Sequence, residues 1–132
     1  MTAGASLRIV FFGTPDFAVP TLRALHESRH PVVGVVTQPD RARGRGQHSQ
    51  PGPVKDLARQ FGLTLLQPER LPDEAFLETL RSLEADLGVV AAYGKILTDA
   101  VLAIPRLGLI NVHASLLPKY RGAAPVHRAI ID

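Results

Sequence analysis

Residues 7–12, Leu-Arg-Ile-Val-Phe-Phe, form an apolar run that is closed by the turn residues Gly-Thr-Pro-Asp at 13–16. A short run rich in β-branched and aromatic residues is typical of a buried strand. The segment 16–28 is predicted to be a helix capped by Asp16, because its apolar residues recur at helical spacing: Ala18, Leu22 and Leu25. A second apolar run covers 32–37. The opening therefore predicts strand, helix and parallel strand, which is a βαβ unit.

The remainder of the chain continues this alternation. Three more strands are predicted by apolar runs at 63–66, 87–91 and 107–113. Helices are expected at 54–61, ended by Gly62, then from Pro72 to Leu83, at 98–103 and from Ala123 onward. This pattern indicates an α/β fold with a doubly wound, mainly parallel sheet covered by helices on both faces, a Rossmann-like architecture. Such sheets bind ligands beyond the carboxyl ends of their strands, here in the loops 13–17, 38–53, 92–97 and 111–122.

Length and composition exclude several classes of protein. A chain of 132 residues with 45% hydrophobic and 20% charged residues is long enough for one folded domain, and it is neither disordered nor fibrous in composition. The absence of cysteine rules out a disulfide framework, cysteine-bound zinc and a thiolate nucleophile. The longest apolar runs are about a third of a membrane span. We therefore expect a soluble, cytoplasmic protein that does not contact membranes.

The charges are unevenly distributed. Fifteen Lys and Arg against twelve Asp and Glu give a net charge of +3, which by itself does not argue for nucleic acid. Six of the acidic residues lie between 69 and 86, so the rest of the chain is basic. Arg41, Arg43 and Arg45 alternate in the loop 38–53, which has almost no large apolar residue. Charge alone leaves two interpretations open, a surface that contacts a polyanion and an ordinary solvated loop.

Several chemistries are disfavoured by the motifs themselves. The loop 13–17 has one glycine where a dinucleotide-binding fingerprint needs three, so a nicotinamide or flavin site is not expected. The five histidines lack the spacing of metal ligands, so no metal site is expected. Ser115 follows a histidine but lacks the G-x-S-x-G sequence of a nucleophile elbow. A hydrolase with a serine nucleophile is therefore a poor interpretation.

Asn111 and His113 are the strongest candidates for catalysis. They lie two residues apart at the end of a predicted strand, so both side chains point to the same face, beside the expected ligand crevice. An amide donor next to an imidazole can hold and neutralise an oxyanion that develops on a carbonyl. The spacing is short and common, however, and a buried histidine bonded to the backbone satisfies it equally well.

Longer motifs identify a family that these residues match. Taken together, five segments resemble methionyl-tRNA formyltransferases: 13–17 (GTPDF), 37–41 (TQPDR), 44–46 (GRG), 92–97 (AYGKIL) and 111–125 (NVHASLLPKYRGAAP). The resemblance extends from about Leu7 to the last residue. Folate-dependent formyltransferases as a wider group share the Asn-x-His and Ser-Leu-Leu-Pro portions. The arginine loop and the Arg-Gly-Ala-Ala-Pro ending are similar to the tRNA enzymes in particular.

The resemblance implies transfer of a formyl group from 10-formyltetrahydrofolate to the α-amine of methionine on initiator tRNA. It assigns Asn111 and His113 to catalysis, where they would stabilise the oxyanion of a tetrahedral intermediate. The formyl donor would be held by two segments, Tyr93, Gly94, Lys95, Ile96 and Leu97 together with Ser115, Leu116, Leu117 and Pro118. The aminoacyl end would lie near Gly13, Thr14, Pro15, Asp16 and Phe17, and Arg41, Arg43 and Arg45 would contact tRNA phosphates.

Length separates this chain from the family it resembles. Family members continue with a catalytic aspartate and a basic C-terminal tRNA-binding domain, and Asp132 does not occupy that aspartate's motif. We therefore interpret 1–132 as the N-terminal part of a formyltransferase catalytic domain, and expect these residues alone to be inactive. Two alternatives are a sister formyltransferase that acts on a small amine and a non-catalytic domain that binds folate or tRNA.

Overall fold

Within the residues that it describes, the computed structural model has two sheets and four helices. It describes residues 6–14, 18–43, 48–50, 52–71, 73–91, 93 and 97–112, with only the backbone at 41–43 and 48–50. The strands are β1 (Ile9–Gly13), β2 (Val32–Val36), β3 (Arg41–Arg43), β4 (His48–Gln50), β5 (Leu65–Leu66), β6 (Leu87–Ala91) and β7 (Leu109–Asn111). The helices are α1 (Ala18–Glu27), α2 (Pro53–Phe61), α3 (Glu74–Ser82) and α4 (Asp99–Leu102).

In the described part of the chain, the main sheet has five strands in the order β5-β2-β1-β6-β7. Every pairing in it is parallel. The chain moves outward from β1 to β2 and β5, then returns to place β6 on the other side of β1. The strand order therefore reverses at β1 and β6, which is the switch point of a doubly wound sheet. The predicted fold class and all five predicted parallel strands are confirmed.

Alternate residues of the central strand β1 are buried on opposite faces of the sheet. Ile9 and Phe11 belong to a core with α1 and α2, which contribute Ala18, Leu22, Val54, Leu57 and Ala58. Val10 and Phe12 belong to a second core with α3 and α4, which contribute Phe76, Leu77, Leu80 and Val101. The helices thus cover both faces of the sheet, as the sequence predicts.

The ends of the helices follow local capping chemistry. Gly62 ends α2 in the left-handed conformation, with φ 72°, as expected for a C-terminal glycine cap. The third helix begins later than predicted, at Glu74 and not at Pro72. Asp73 is its N-cap, and the Asp73 carboxylate accepts a hydrogen bond from the backbone N–H of Phe76. A side chain that satisfies a free N–H therefore determines this boundary. Asp16 and the helix expected from Ala123 lie outside the described residues.

The predicted loop 38–53 contains secondary structure that sequence analysis missed. Strands β3 and β4 form an antiparallel hairpin, with Arg41 opposite Gln50 and Arg43 opposite His48. Neither strand has the apolar alternation that predicts a strand. The hairpin is a separate two-stranded sheet, so it does not extend the main sheet.

The end of β1 allows no side chain at Gly13. A Cβ at this position would lie 2.8 Å from Phe11 Cε2, 2.9 Å from Ala18 Cβ and 2.9 Å from the Ala91 carbonyl oxygen. The carbonyl oxygen belongs to the backbone of the neighbouring strand and cannot turn away. Glycine is therefore needed for the close approach of α1 and β6 to the end of β1.

We expect Gly13→Ala to lower the free energy of unfolding by about 1–3 kcal/mol, because β1, β6 or α1 must shift to admit the methyl group. Urea denaturation followed by circular dichroism measures this change. Gly34→Ala in β2 is the matched control, because its Cβ would meet chiefly a terminal methyl of Leu83, which can rotate away. A cost at Gly13 no larger than at Gly34 would contradict the close-approach argument.

Candidate active site at the carboxyl edge of the sheet

The carboxyl ends of β1, β6 and β7 lie side by side. Gly13 pairs with Ala91, and one step earlier Val90 pairs with Asn111. Asn111 is the last residue of β7 and is exposed. The structure thus presents the amide of Asn111 to solvent at this edge, close to the switch point where parallel sheets bind ligands.

Thr14 connects the segments that follow three strands. Its hydroxyl donates a hydrogen bond to the Tyr93 carbonyl over 3.2 Å. It also accepts hydrogen bonds from the Gln38 N–H and the Thr37 hydroxyl, each over 3.3 Å. One donated and two accepted bonds saturate a hydroxyl group. The ends of β1, β2 and β6 are therefore held together by a single side chain.

A charged cluster lies next to this network, at the base of the hairpin. Lys55 on α2 donates to both carboxylate oxygens of Asp40, with the shorter contact at 2.8 Å. The side-chain amide of Gln67 donates to Asp40 over 2.9 Å and to the Gln38 carbonyl over 3.2 Å. The hydrogen bond from Lys55, and after it the one from Gln67, lowers the pKa of the Asp40 carboxyl. Asp40 is therefore held as a carboxylate immediately before β3.

Tyr93 follows β6 and turns its side chain into the core. Its ring is 2% exposed and meets the ring of Phe12 edge-on, with centroids 5.8 Å apart. Burial raises the pKa of the Tyr93 hydroxyl to about 12. The hydroxyl has no hydrogen-bond partner within the part of the chain that the structure describes. Among the described residues, therefore, only the backbone carbonyl of Tyr93 takes part in the network at the edge.

Comparison with known proteins identifies the family. The family model described as formyl transferase matches residues 7–132. The chain belongs to the formyl transferase family. Among its curated relatives, the protein named methionyl-tRNA formyltransferase from Chromohalobacter salexigens is 61% identical over 125 residues, 95% of this chain and 38% of the relative. The one from Sulfurihydrogenibium sp. is 54% identical over 127 residues, 96% of this chain and 41% of the relative. The chain therefore spans about two fifths of the length of these relatives.

A solved formyl transferase supports the fold. The crystal structure of phosphoribosylglycinamide formyltransferase from Streptococcus pneumoniae TIGR4 aligns with a TM-score of 0.59 and 22% identity, over 89% of this chain and 62% of that one. At this level of identity the likeness shows a shared fold. The family resemblance inferred from the five motifs is confirmed.

Within this formyl transferase chain, the structure describes only part of the predicted site. Gly13, Thr14, Tyr93 and Asn111 lie at the carboxyl edge, and Leu97 is half-buried against the core that contains Tyr93. Outside the described residues lie Pro15, Asp16, Phe17, Arg45, Gly94, Lys95, Ile96, His113, Ser115, Leu116, Leu117 and Pro118. For Arg41 and Arg43 only the backbone, in β3, is described. The proposed neighbourhood of Asn111 and His113 thus stays a prediction.

Sequence reasoning placed Thr14 and Tyr93 at the site but gave no site role to Thr37, Gln38 and Gln67, which join them in linking the strand ends. Thr37, Gln38 and Gln67 each follow directly after a predicted strand or end one, and that position is the signal that could have found them. Thr37 is 3% exposed, although it is polar. No group of three or more His, Asp or Glu suited to a metal occurs among the described residues. In the same part of the chain no helix has the length and apolar character needed to cross a membrane.

We expect Lys55→Met to raise the pKa of Asp40 toward its ordinary value of 3.8, because the main hydrogen bond that favours the carboxylate is removed. Carbon-13 NMR titration of the Asp40 carboxyl measures this. In the unsubstituted chain the lowered pKa means that the pair stabilises the fold above pH 3.8, and that this contribution is lost as the pH falls further.

The Asp86 carboxyl is the control in the same spectra. Its pKa is lowered by the backbone N–H of Arg8 and by the Arg106 side chain, so Lys55→Met should leave it unchanged. If Asp40 titrates at the same pH with and without Lys55, the contact does not persist in solution.

Proposed function

We propose that this chain is the formyl-transferring part of a methionyl-tRNA formyltransferase. The formyl group comes from 10-formyltetrahydrofolate, and the acceptor is the α-amine of methionine esterified to initiator tRNA. The observation that carries the proposal is the identity of 54% and 61% to proteins named for this activity, over 95% or more of the chain. The solved phosphoribosylglycinamide enzyme shares far less, at 22%.

The reaction needs an acceptor for negative charge. When the amine nitrogen bonds to the formyl carbon, the carbonyl oxygen gains charge, and the bond from that carbon to N10 of the folate then breaks. Asn111, exposed at the end of β7, supplies an amide N–H at the edge where the donor is expected. We assign His113, two residues later, to the same oxygen. Overall the amine gives up one proton and N10 of the leaving tetrahydrofolate takes one up, so the proton count balances.

Binding of the two substrates is assigned to opposite sides of the switch point. The formyl donor would lie along 93–97 and 115–118, beyond β6 and β7. The tRNA would meet the hairpin that begins at Arg41, and its aminoacyl end would lie near 13–17. In this assignment 1–132 is the N-terminal part of the catalytic domain, and the protein acts in the cytoplasm, where translation begins.

The proposal is tested with the natural gene product that carries these residues. Purified protein is incubated with 10-formyltetrahydrofolate and methionyl initiator tRNA, and N-formylmethionine is measured by mass spectrometry. Formylation of this tRNA, with little on methionyl elongator tRNA, is the expected result. Transfer to a small free amine such as phosphoribosylglycinamide, and not to the tRNA, would refute it.

We expect His113→Ala in the natural gene product to lower the rate of formyl transfer by roughly 10²–10³, because one partner of the oxyanion is removed. Affinity for tRNA should change little. Single-turnover kinetics and filter binding measure the two quantities. His26→Ala, in the last turn of α1 where the ring stacks on Phe61 of α2, is the control and should transfer formyl at a near-normal rate. A near-normal rate in His113→Ala would remove this residue from the mechanism.

We expect replacement of Arg41, Arg43 and Arg45 by Ala to weaken binding of methionyl-tRNA and to flatten its dependence on salt. Each lost phosphate contact should reduce the slope of log K against log salt by roughly 0.7 to 0.9. Replacement of the exposed Arg29, Arg59 and Arg81 changes net charge equally and serves as the control. If the slope of log K against log salt is equal in the two triple variants, the hairpin is an ordinary solvated surface and does not contact tRNA phosphates.

A further inference from the structure

The carbonyl of Tyr93 is fixed by side chains from two other strand ends. The amide of Gln38, after β2, donates to it over 2.8 Å, and the Thr14 hydroxyl, after β1, donates over 3.2 Å. Gln38 and Tyr93 are 55 residues apart in sequence. Tyr93 is the first described residue after β6, at the start of the segment assigned to the formyl donor. The backbone that leads into this segment is therefore anchored from β1 and β2.

Gln38 is itself held by residues that follow β1 and β5. Its backbone N–H donates to Thr14, and its carbonyl accepts from the Gln67 amide. The same amide nitrogen of Gln67 donates to Asp40, which pairs with Lys55. Lys55 and Asp40 are both partly shielded, with side chains 16% and 31% exposed. A continuous series of hydrogen bonds thus joins the base of the hairpin to the segment after β6.

The contact with the Tyr93 carbonyl requires a hydrogen-bond donor on the side chain at position 38. A carbonyl oxygen accepts hydrogen bonds only, so the side chain that reaches it must donate. Glutamine has the length and the N–H group to do so. Glutamate has the same shape, but its carboxylate would set negative charge against the Tyr93 carbonyl. Methionine has similar length and no donor.

We propose that Gln38 is a positioning residue for formyl transfer: its side chain sets the backbone at Tyr93, and with it the formyl-donor segment, relative to the tRNA-binding hairpin. The inference rests on the proposed function for the identity of the two ligands. Gln38 acts through Tyr93 and does not itself touch the reacting atoms. Gln38 lies between the two segments in the hydrogen-bonded series, bonded on one side to Gln67 and on the other to Tyr93. A change at Gln38 therefore alters donor binding although Gln38 is not part of the donor segment.

The experiment measures donor binding and backbone opening in the natural gene product. Calorimetry with 5-formyltetrahydrofolate, a non-reactive isomer of the donor, should show Kd raised roughly threefold to tenfold in Gln38→Met, the range for loss of one hydrogen bond. In steady-state assays KM for the formyl donor should rise by a similar factor, with kcat at saturating donor changed less. Hydrogen–deuterium exchange should increase in the peptide that spans 91–97.

Gln60 provides the matched controls. It is exposed on α2, away from the strand ends, so Gln60→Met and Gln60→Glu repeat the same chemical changes and should alter none of the three measurements. Equal donor affinity and equal exchange in Gln38→Met and the unsubstituted protein would overturn the proposal. If the unsubstituted protein does not bind the folate, the proposed function is wrong, and the positioning of Tyr93 is decided by exchange alone.

A second variant covers the case in which Gln38→Met does not fold. In Gln38→Glu the side chain can donate to Tyr93 only when protonated, and an ordinary glutamate carboxyl has a pKa of about 4.3, so donor affinity relative to the unsubstituted protein should recover between pH 8 and pH 4. The Gln67 amide links the Gln38 carbonyl to Asp40, and the lowered pKa of Asp40 favours its carboxylate form over this range. No relative recovery at pH 4 would overturn the proposal.

Discussion

The close approach of β1 to its neighbours is the constraint on which the rest of the structure depends. All five residues of β1 are buried, and the strand lies between β2 and β6 with a helical layer on each face. Burial of Phe11 and Phe12 contributes about 1.5–3 kcal/mol each relative to exposed side chains. At the carboxyl end, the missing side chain of Gly13 lets Ala18 of α1 and the Ala91 carbonyl of β6 both approach the backbone of Gly13. The ends of β1 and β6 can therefore meet at one edge.

This close approach creates a need for hydrogen bonds at the edge. The segments that leave β1, β2 and β6 carry N–H and C=O groups that no longer pair within the sheet, and burial without partners is costly. Thr14 and Gln38 satisfy several of them at once. Gln67 and Lys55 extend the same bonding to Asp40, before the hairpin. The need to pair these backbone groups thus links the hairpin with the segment after β6, to which different substrates are assigned.

Sequence patterns predicted the main sheet and helices because the buried positions of each element are visible as apolar residues in its own stretch of sequence. Apolar runs marked every strand of the main sheet, and the spacing of apolar residues marked the inner faces of α2 and α3. The hairpin was missed because its strands have neither an apolar run nor alternating apolar residues. The start of α3 was misplaced because Pro72 is an equally good local signal, and the capping hydrogen bond of Asp73 decided between them.

The sequence by itself determined the family, the order along the chain of the four helices and the main-sheet strands, and Asn111 as a residue at a strand end. These follow from local patterns and from motifs of neighbouring residues, which need no knowledge of the fold. Only the tertiary structure decided which strand ends lie together and which side chains join them. Thr14, Gln38, Gln67 and Tyr93 are far apart in sequence, and each is an ordinary polar or aromatic residue in its own surroundings. Their contacts arise because parallel strands with crossover helices bring all the carboxyl ends to one edge of the sheet.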